Sequence, residues 1–140
     1  VCKIEIPGKE SNKEKRYIHV MCAHLDLLQK GRAKQYDMLR SLVESLEIPD
    51  NDPLIVAGDF NDWNQQAHHI LEKELKMVEA HKDRYGLFAK TFPAFLPLLT
   101  LDRIYVRNLK VTHSYVLSKM EKSHFSDHLP LFCEVELNET

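Results

Sequence analysis

Residues 54–63 read LIVAGDFNDW, and this stretch decides the fold class. The apolar run Leu54–Ala57 precedes Gly58 and Asp59, a pattern typical of a buried central strand that ends in a polar loop. The segment before it, IPDNDP at 48–53, carries two prolines and therefore ends any preceding helix. The sequence thus predicts a sheet in which residues 54–57 form an inner strand.

Helical and extended patterns surround this strand. Apolar residues recur at helical spacing in two stretches, about 29–47 and 65–78. Extended patterns occupy five further stretches: Val1–Ile6, Tyr17–Ala23, Asp102–Val106, Lys110–Leu117 and Leu129–Leu137. The first two flank a polar segment and predict a hairpin. Strands mixed with helices in this order predict one α/β (α+β) domain.

Charge and composition exclude several classes of protein. The chain of 140 residues has 19 Lys+Arg and 21 Asp+Glu, a net charge of −2. This balance argues against a protein held on nucleic acid or anionic lipid mainly by its net charge. No apolar run approaches the ~20 residues that span a bilayer. The longest apolar patch, residues 92–101, is interrupted by Pro93 and Pro97.

The three cysteines lie far apart in the sequence. Cys2, Cys22 and Cys133 each occur in an apolar, strand-like context. Their odd number and wide spacing predict small core residues in a reducing compartment, not a disulfide framework or a zinc site. On this basis we expect a cytoplasmic protein.

Four short polar clusters stand at the edges of the apolar strands. They are His24-Leu25-Asp26, Gly58-Asp59-Phe60-Asn61, the segment 101–105 (LDRIY) and Ser126-Asp127-His128. Each cluster alone is explained as well by a capped turn or a satisfied histidine. Because strand ends deliver loops to one edge of a sheet, together they predict a single site.

The residue types in these clusters favour one kind of chemistry. Carboxylate and amide oxygens are the ligands that Mg²⁺ and Mn²⁺ prefer. An imidazole beside an aspartate is held in one tautomer and stabilised when protonated. This combination predicts metal-assisted hydrolysis of a phosphate ester.

The motifs VAGDFNDW, LDRIYV and SDHLPL, preceded by CAHLDL, resemble the endonuclease/exonuclease/phosphatase superfamily, which includes deoxyribonuclease I-like enzymes. The resemblance extends from about Tyr17 to Leu137. It is greatest to small bacterial members in which a Trp follows the GDFN segment, as Trp63 does here. GDFN, LDRIY and SDH in this order form a specific signature.

The resemblance implies a role for each polar residue at the water and metal side of the site. Asp59 would position or deprotonate the attacking water and would contribute to metal binding. Asp127 would hold the metal, Mg²⁺ or Mn²⁺, or its water ligands. Asn61 would hydrogen-bond the phosphoryl group.

The resemblance assigns the remaining catalytic roles to histidines. His128 would contact the scissile phosphate and would be oriented by Asp102. His24 would lie on the other side of the phosphate, where it would stabilise charge or assist the leaving group. Further out, three residues are candidates for substrate binding: Arg32, Trp63 and Arg103. Alternatively, each arginine forms a salt bridge with a carboxylate, and Trp63 covers the core beside the GDFN segment.

The resemblance also implies a fold and an expectation about chain length. The family fold packs two sheets face to face between outer helices. We expect residues 1–140 to form half of this four-layer α/β sandwich, one mainly antiparallel sheet with helices on its outer face. Family members carry an Asn and a metal-binding Glu in a preceding amino-terminal half, and no segment here matches those motifs. We therefore expect weak metal binding, weak activity, and pairing with a second copy or with an amino-terminal half.

The expected function is a divalent-metal-dependent phosphoester hydrolase that acts on a phosphodiester, in a nucleic acid, a phospholipid or a small molecule. A phosphomonoesterase with the same site residues is one alternative. A non-catalytic binding module is another, although such a relative would be expected to have lost at least one of the six core residues named above.

Overall fold

The computed structural model describes residues 1–7, 15–117 and 126–138, without the side chains at 67 and 68. The elements within these ranges are, in order, β1 (Cys2–Ile6), β2 (Arg16–His24), α1 (Gln29–Ser45), β3 (Leu54–Asp59), α2 (Gln66–Lys73), β4 (Val78–Glu79), α3 (Ala80–Tyr85), β5 (Asp102–Arg107), β6 (Leu109–Val116) and β7 (Leu131–Leu137). The turn of the predicted hairpin lies largely outside the described residues. No helix among them is long and apolar enough to cross a membrane.

The strands form two sheets. The larger has the order β1-β2-β3-β5-β4, and the smaller pairs β6 with β7. Within the larger sheet β2 and β3 run parallel, and its other pairs are antiparallel. The predicted α/β class, the antiparallel character and the inner position of residues 54–57 are confirmed.

The segment after residue 73 differs from the prediction. The helix predicted to reach Val78 ends at Lys73, because Lys76 adopts a positive φ of 54° and the chain turns into β4. The short helix α3 was not predicted, since six residues are too few to show helical periodicity. Its first turn is capped by Glu79, whose side chain accepts a hydrogen bond from the Lys82 amide.

The main core lies between the larger sheet and the helices. Tyr36, Leu39 and Val43 of α1 are buried against the strand residues Met21 and Val56. Their spacing places all three on one face of the helix. This layer confirms the predicted position of a helix on the outer face of the sheet.

A second, smaller core lies on the opposite face of the larger sheet. Ile55 and Ile104 from the inner strands pack there against Val135 and Leu137 of β7, around the buried Val106. The two sheets therefore meet face to face over the β3–β5 part of the larger sheet. The expectation of a single sheet is wrong, because β6 and β7 pair with each other and cover this part of the larger sheet without joining it.

The β1–β2 part of the same face has no cover among the described residues. Its side chains are half-buried or exposed: Cys2, Ile4, Ile18, Val20 and Cys22. The expectation that the cysteines are core residues is therefore wrong for Cys2 and Cys22, which are exposed because they lie on this bare face. We call this set of five residues the bare face.

Gly58 allows β2 and β3 to pair closely at their ends. Its φ is +146°, a conformation that essentially only glycine adopts. A Cβ atom built at this position would lie 1.9 Å from the carbonyl oxygen of Ala23. A side chain at 58 would therefore push apart the two strands that carry His24 and Asp59.

Replacing Gly58 by alanine is expected to destabilise the fold by about 3 kcal/mol or more, through backbone strain and the clash with Ala23. Gly86→Ala is the matched control, because Gly86 also has a positive φ, 75°, but faces open space. It should cost only about 1–2 kcal/mol. Urea unfolding of the two variants measures both values, and equal losses would contradict the role given to the close approach of the strands.

The bare face predicts self-association, since soluble proteins rarely expose contiguous apolar surface. We propose that the 140-residue chain pairs through this face with a second copy or with an amino-terminal half. Ile4→Lys should shift the chain towards monomer in light scattering at tens of micromolar, while Met38→Lys on the exposed side of α1 should not. A monodisperse monomer in the unmodified chain would contradict this proposal.

Candidate active site

Three of the predicted site residues lie in one row across the larger sheet. His24 at the end of β2 pairs with Asp59 at the end of β3, which pairs with Asp102 at the start of β5. Since paired residues share a face, all three side chains belong to the face that meets the smaller sheet. The site therefore stands at one end of the space between the two sheets.

His128 joins this row from the loop before β7. Its Nδ1 lies 2.8 Å from Oδ2 of Asp102, and its Nε2 lies 3.9 Å from Oδ2 of Asp59. A carboxylate accepts only, so Nδ1 carries the hydrogen in this contact. The contact with Asp102 therefore fixes the ring so that Nε2 is directed towards Asp59.

Asp59 stands between two imidazoles. Nε2 of His24 is 3.7 Å from the same oxygen, Oδ2, that faces His128. The other oxygen of Asp59, Oδ1, accepts a hydrogen bond of 2.9 Å from the backbone N–H of Asn61, and this bond holds the carboxylate in place. The His24 ring is largely exposed, whereas Asp59 and His128 are mostly buried. The structure thus brings together His24, Asp59, Asp102 and His128, as expected for one site, and their catalytic roles stay a prediction.

The carboxylates raise the pKa of His128 above 6.5. Partial burial lowers this pKa, but the hydrogen bond and charge of Asp102, together with the charges of Asp59 and Asp127, outweigh burial. The His128 ring is therefore protonated more readily than a free imidazole. In that form Nε2 is a hydrogen-bond donor directed into the site.

Thr91 and Phe92 support the Asp102–His128 pair, and nothing in the sequence pattern indicated Thr91. The Thr91 hydroxyl donates a short hydrogen bond to Oδ2 of Asp102, the oxygen that also faces His128. The ring of Phe92 lies 4.9 Å from that of His128, centroid to centroid. A lone threonine in an irregular segment carries no sequence signal, so only the fold reveals this contact.

Asn61 lies behind Asp59 and is buried. Its Nδ2 donates to the carbonyl oxygen of Leu25 at 2.8 Å, a contact that connects the loop after β3 to the loop after β2. Its positive φ of 48° is tolerated by asparagine. One amide hydrogen is thus used within the protein, and the contact with a phosphoryl group stays a prediction.

A divalent cation is not accommodated by the described residues alone. Among them no three His, Cys, Asp or Glu side chains are grouped to hold a metal. Asp59 and Asp127 supply two carboxylates, while Asp102 is committed to His128 and Thr91. The described residues therefore supply at most part of a metal site.

Arg103 does not belong to the site, contrary to the sequence expectation. It follows Asp102 in β5 and therefore points to the opposite, helix-covered face, where it is 2% exposed. Its guanidinium donates to the carbonyl oxygens of Thr100 and Asp62 and lies 4.1 Å from the ring centroid of Phe88. This buried cation positions the chain on both sides of the site and is out of reach of a substrate.

Arg32 is also buried, so neither the substrate role nor a surface salt bridge describes it. It lies on the core-facing side of α1, and its Nη1 donates to the carbonyl oxygens of Asp26 and Leu27. Its guanidinium is 4.9 Å from the centroid of the Trp63 ring. Trp63 itself is 43% exposed and thus partly open to solvent, and its contact with substrate stays a prediction.

Residues 23–128, which include every site residue named above, match the Endonuclease/Exonuclease/phosphatase family. The chain belongs to the endonuclease/exonuclease/phosphatase family. It is 45% identical over 120 residues to the uncharacterized protein YbhP of Escherichia coli (strain K12), a match that covers 86% of this chain and 47% of YbhP. The chain thus spans about half the length of this curated relative.

Similar solved structures confirm the fold. The mannosyl-6-phosphatase Bt3783 of Bacteroides thetaiotaomicron matches with a TM-score of 0.71 at 20% identity, over 87% of this chain and 52% of that one. D. rerio TDP2, complexed with a single-strand DNA product, matches with a TM-score of 0.63 at 19% identity, over 87% of this chain and 56% of that one. At these identities the likeness concerns the fold alone.

Removing the charge of Asp102 is expected to lower the pKa of His128, because the carboxylate no longer offsets the lowering of the pKa by burial. Asp102→Asn keeps the size of the side chain, and NMR titration of the ring in EDTA measures the change. Asp59→Asn is the matched variant and should lower the pKa less, since Asp59 is farther from the ring and makes no hydrogen bond with it. An unchanged pKa in Asp102→Asn would contradict the pairing.

Proposed function

We propose that this chain carries the hydrolytic centre of a metal-dependent phosphodiesterase. The observation that supports it is the Asp59 carboxylate, flanked by two imidazole Nε2 atoms at 3.7 and 3.9 Å at the open end of the sheet. An acceptor between two potential donors suits the removal of a proton from water next to an anionic phosphate. Membership of a family of phosphoester hydrolases agrees with this chemistry.

In the proposed reaction a water molecule attacks the phosphorus atom. Asp59 accepts the proton of the water as the new P–O bond forms. The bond between phosphorus and the leaving alcohol oxygen breaks, and protonated His24 gives its proton to that oxygen. His128, protonated and held by Asp102, donates a hydrogen bond to a non-bridging phosphoryl oxygen and so stabilises the charge that develops there.

We also propose that Mg²⁺ or Mn²⁺ assists this reaction. When bound, such a cation neutralises charge on the phosphoryl oxygens. Asp127 and Asp59 would hold it together with ligands from outside the described residues. We propose that an amino-terminal half supplies those ligands. Because the described donors are incomplete, the 140-residue chain alone should bind Mn²⁺ more weakly than the full-length protein with that half, and isothermal titration calorimetry compares the two.

A reducing compartment stays our proposal for the location of the protein. Cys2, Cys22 and Cys133 are free in the structure, which agrees with a cytoplasmic setting.

The diesterase proposal is tested with bis(p-nitrophenyl) phosphate and the full-length protein, with Mg²⁺ or Mn²⁺ and with EDTA. Turnover should require the metal, and His128→Ala should reduce it about 100-fold or more, since the variant removes a donor to the phosphoryl group. His113→Ala is the control, because this exposed histidine of β6 contacts Glu134, away from the site. Equal effects of the two variants would contradict the proposed role of His128.

The same assay with p-nitrophenyl phosphate separates the diesterase from a phosphomonoesterase. Metal-dependent turnover of the monoester without turnover of the diester would overturn the diesterase proposal while keeping the site. No turnover of either substrate would favour a non-catalytic binding module.

A further inference from the structure

The loop between Phe92 and Leu99 exposes apolar side chains beside the candidate active site. Phe95 is 83% exposed and Leu98 is 58% exposed, and Leu96 and Leu99 are also exposed. No charged residue occurs from Thr91 to Leu101. We call residues 92–99 the apolar loop. A cluster of this kind on a protein surface marks an interaction site.

The backbone of the apolar loop is held by its own hydrogen bonds. The amides of Leu98 and Leu99 donate to the carbonyl oxygen of Phe92, and the Thr91 amide donates to that of Leu99. The Leu96 amide donates to the carbonyl oxygen of Pro93. These contacts form a closed hairpin-like unit that leaves the leucine and phenylalanine side chains at its tip without packing partners in the core clusters.

The apolar loop is joined directly to the catalytic groups. The Ala94 amide donates to the carbonyl oxygen of Asp127 at 2.7 Å, and the ring of Phe92 contacts that of His128. A cavity of about 560 Å³ lies between Phe92–Phe95 and Ser126-Asp127. Anything that covers the apolar loop therefore also stands at the mouth of the site.

This position favours one kind of occupant. A second copy of the chain seated on the apolar loop would block access to His128 and Asp127. Pairing between copies is instead assigned to the bare face on β1 and β2. A nucleic acid backbone calls for cations, which residues 91–101 lack, and Phe95 is the one largely exposed ring of the apolar loop on which a base could stack. A lipid surface accepts apolar side chains without charge and presents its own phosphodiesters at the depth of the headgroups.

We propose that the apolar loop inserts Phe95 and the neighbouring leucines into a phospholipid surface, so that the site acts on a phosphodiester presented by that surface. The inference about substrate rests on the proposed function, whereas the docking does not. Insertion of the loop tip to the boundary between headgroups and acyl chains brings the headgroup phosphates level with His128, which is in contact with the base of the loop. The near-neutral chain then binds through apolar burial and not through net charge.

The test uses the full-length protein and sedimentation with phosphatidylcholine vesicles, with and without phosphatidylglycerol. The double variant Phe95→Ser/Leu98→Ser should weaken binding about tenfold or more, because two apolar side chains no longer enter the lipid. Met38→Ser/Leu42→Ser is the matched control, which removes two exposed apolar side chains of α1, away from the apolar loop and the bare face, and should leave binding unchanged. Binding should occur to both kinds of vesicle.

The outcomes distinguish the docking from the chemistry. Loss of vesicle binding in the loop variant, with hydrolysis of bis(p-nitrophenyl) phosphate retained, supports the docking. No binding by the unmodified protein, equal loss in the control variant, or binding only to vesicles with phosphatidylglycerol overturns it. Vesicle binding that depends on the loop, without turnover of any phosphoester, keeps the docking and overturns the proposed function instead.

Discussion

The parallel pairing of β2 with β3 is the constraint from which the rest of the site follows. Because Gly58 has no side chain, the β3 backbone approaches the carbonyl oxygen of Ala23, and the two strands stay paired to their last residues. The last residue of each strand, His24 on β2 and Asp59 on β3, is therefore held opposite the other at the end of the sheet. Antiparallel pairing of β5 then adds Asp102 to the same row.

Alternation along the strands divides the polar residues between two different tasks. Asp59 and Asp102 face the space between the sheets, while Gly58 and Arg103 face the helices. The buried guanidinium of Arg103 binds carbonyl groups on both flanking loops, and that of Arg32 does the same for the loop after β2. Arg32 and Arg103, which the sequence suggested as phosphate-binding residues, thus instead hold the loops beside Asp59 and Asp102.

The sequence predicted what local pattern can encode. The inner strand at 54–57 follows from an apolar run, and α1 follows from apolar residues at helical spacing. The site set His24, Asp59, Asp102 and His128 follows from polar motifs at the ends of apolar strands. The burial of Arg103 and the exposure of Cys22 were not predicted, because the residues next to them in the sequence do not indicate which face of the sheet is covered. Thr91 was not predicted for a similar reason, since its partner Asp102 is brought to it only by the folded loop.

The register of β5 has a consequence for how this site tolerates change in length. One residue added or removed within β5 would exchange the directions of Asp102 and Arg103, placing a guanidinium beside His128 and a carboxylate in the helix-covered core. The same change within the apolar loop leaves the pairing of β5 with β3 intact. Insertions and deletions can therefore reshape the mouth of the cleft while the reacting groups keep their positions, so this loop is where related proteins are free to diverge in what they recognise.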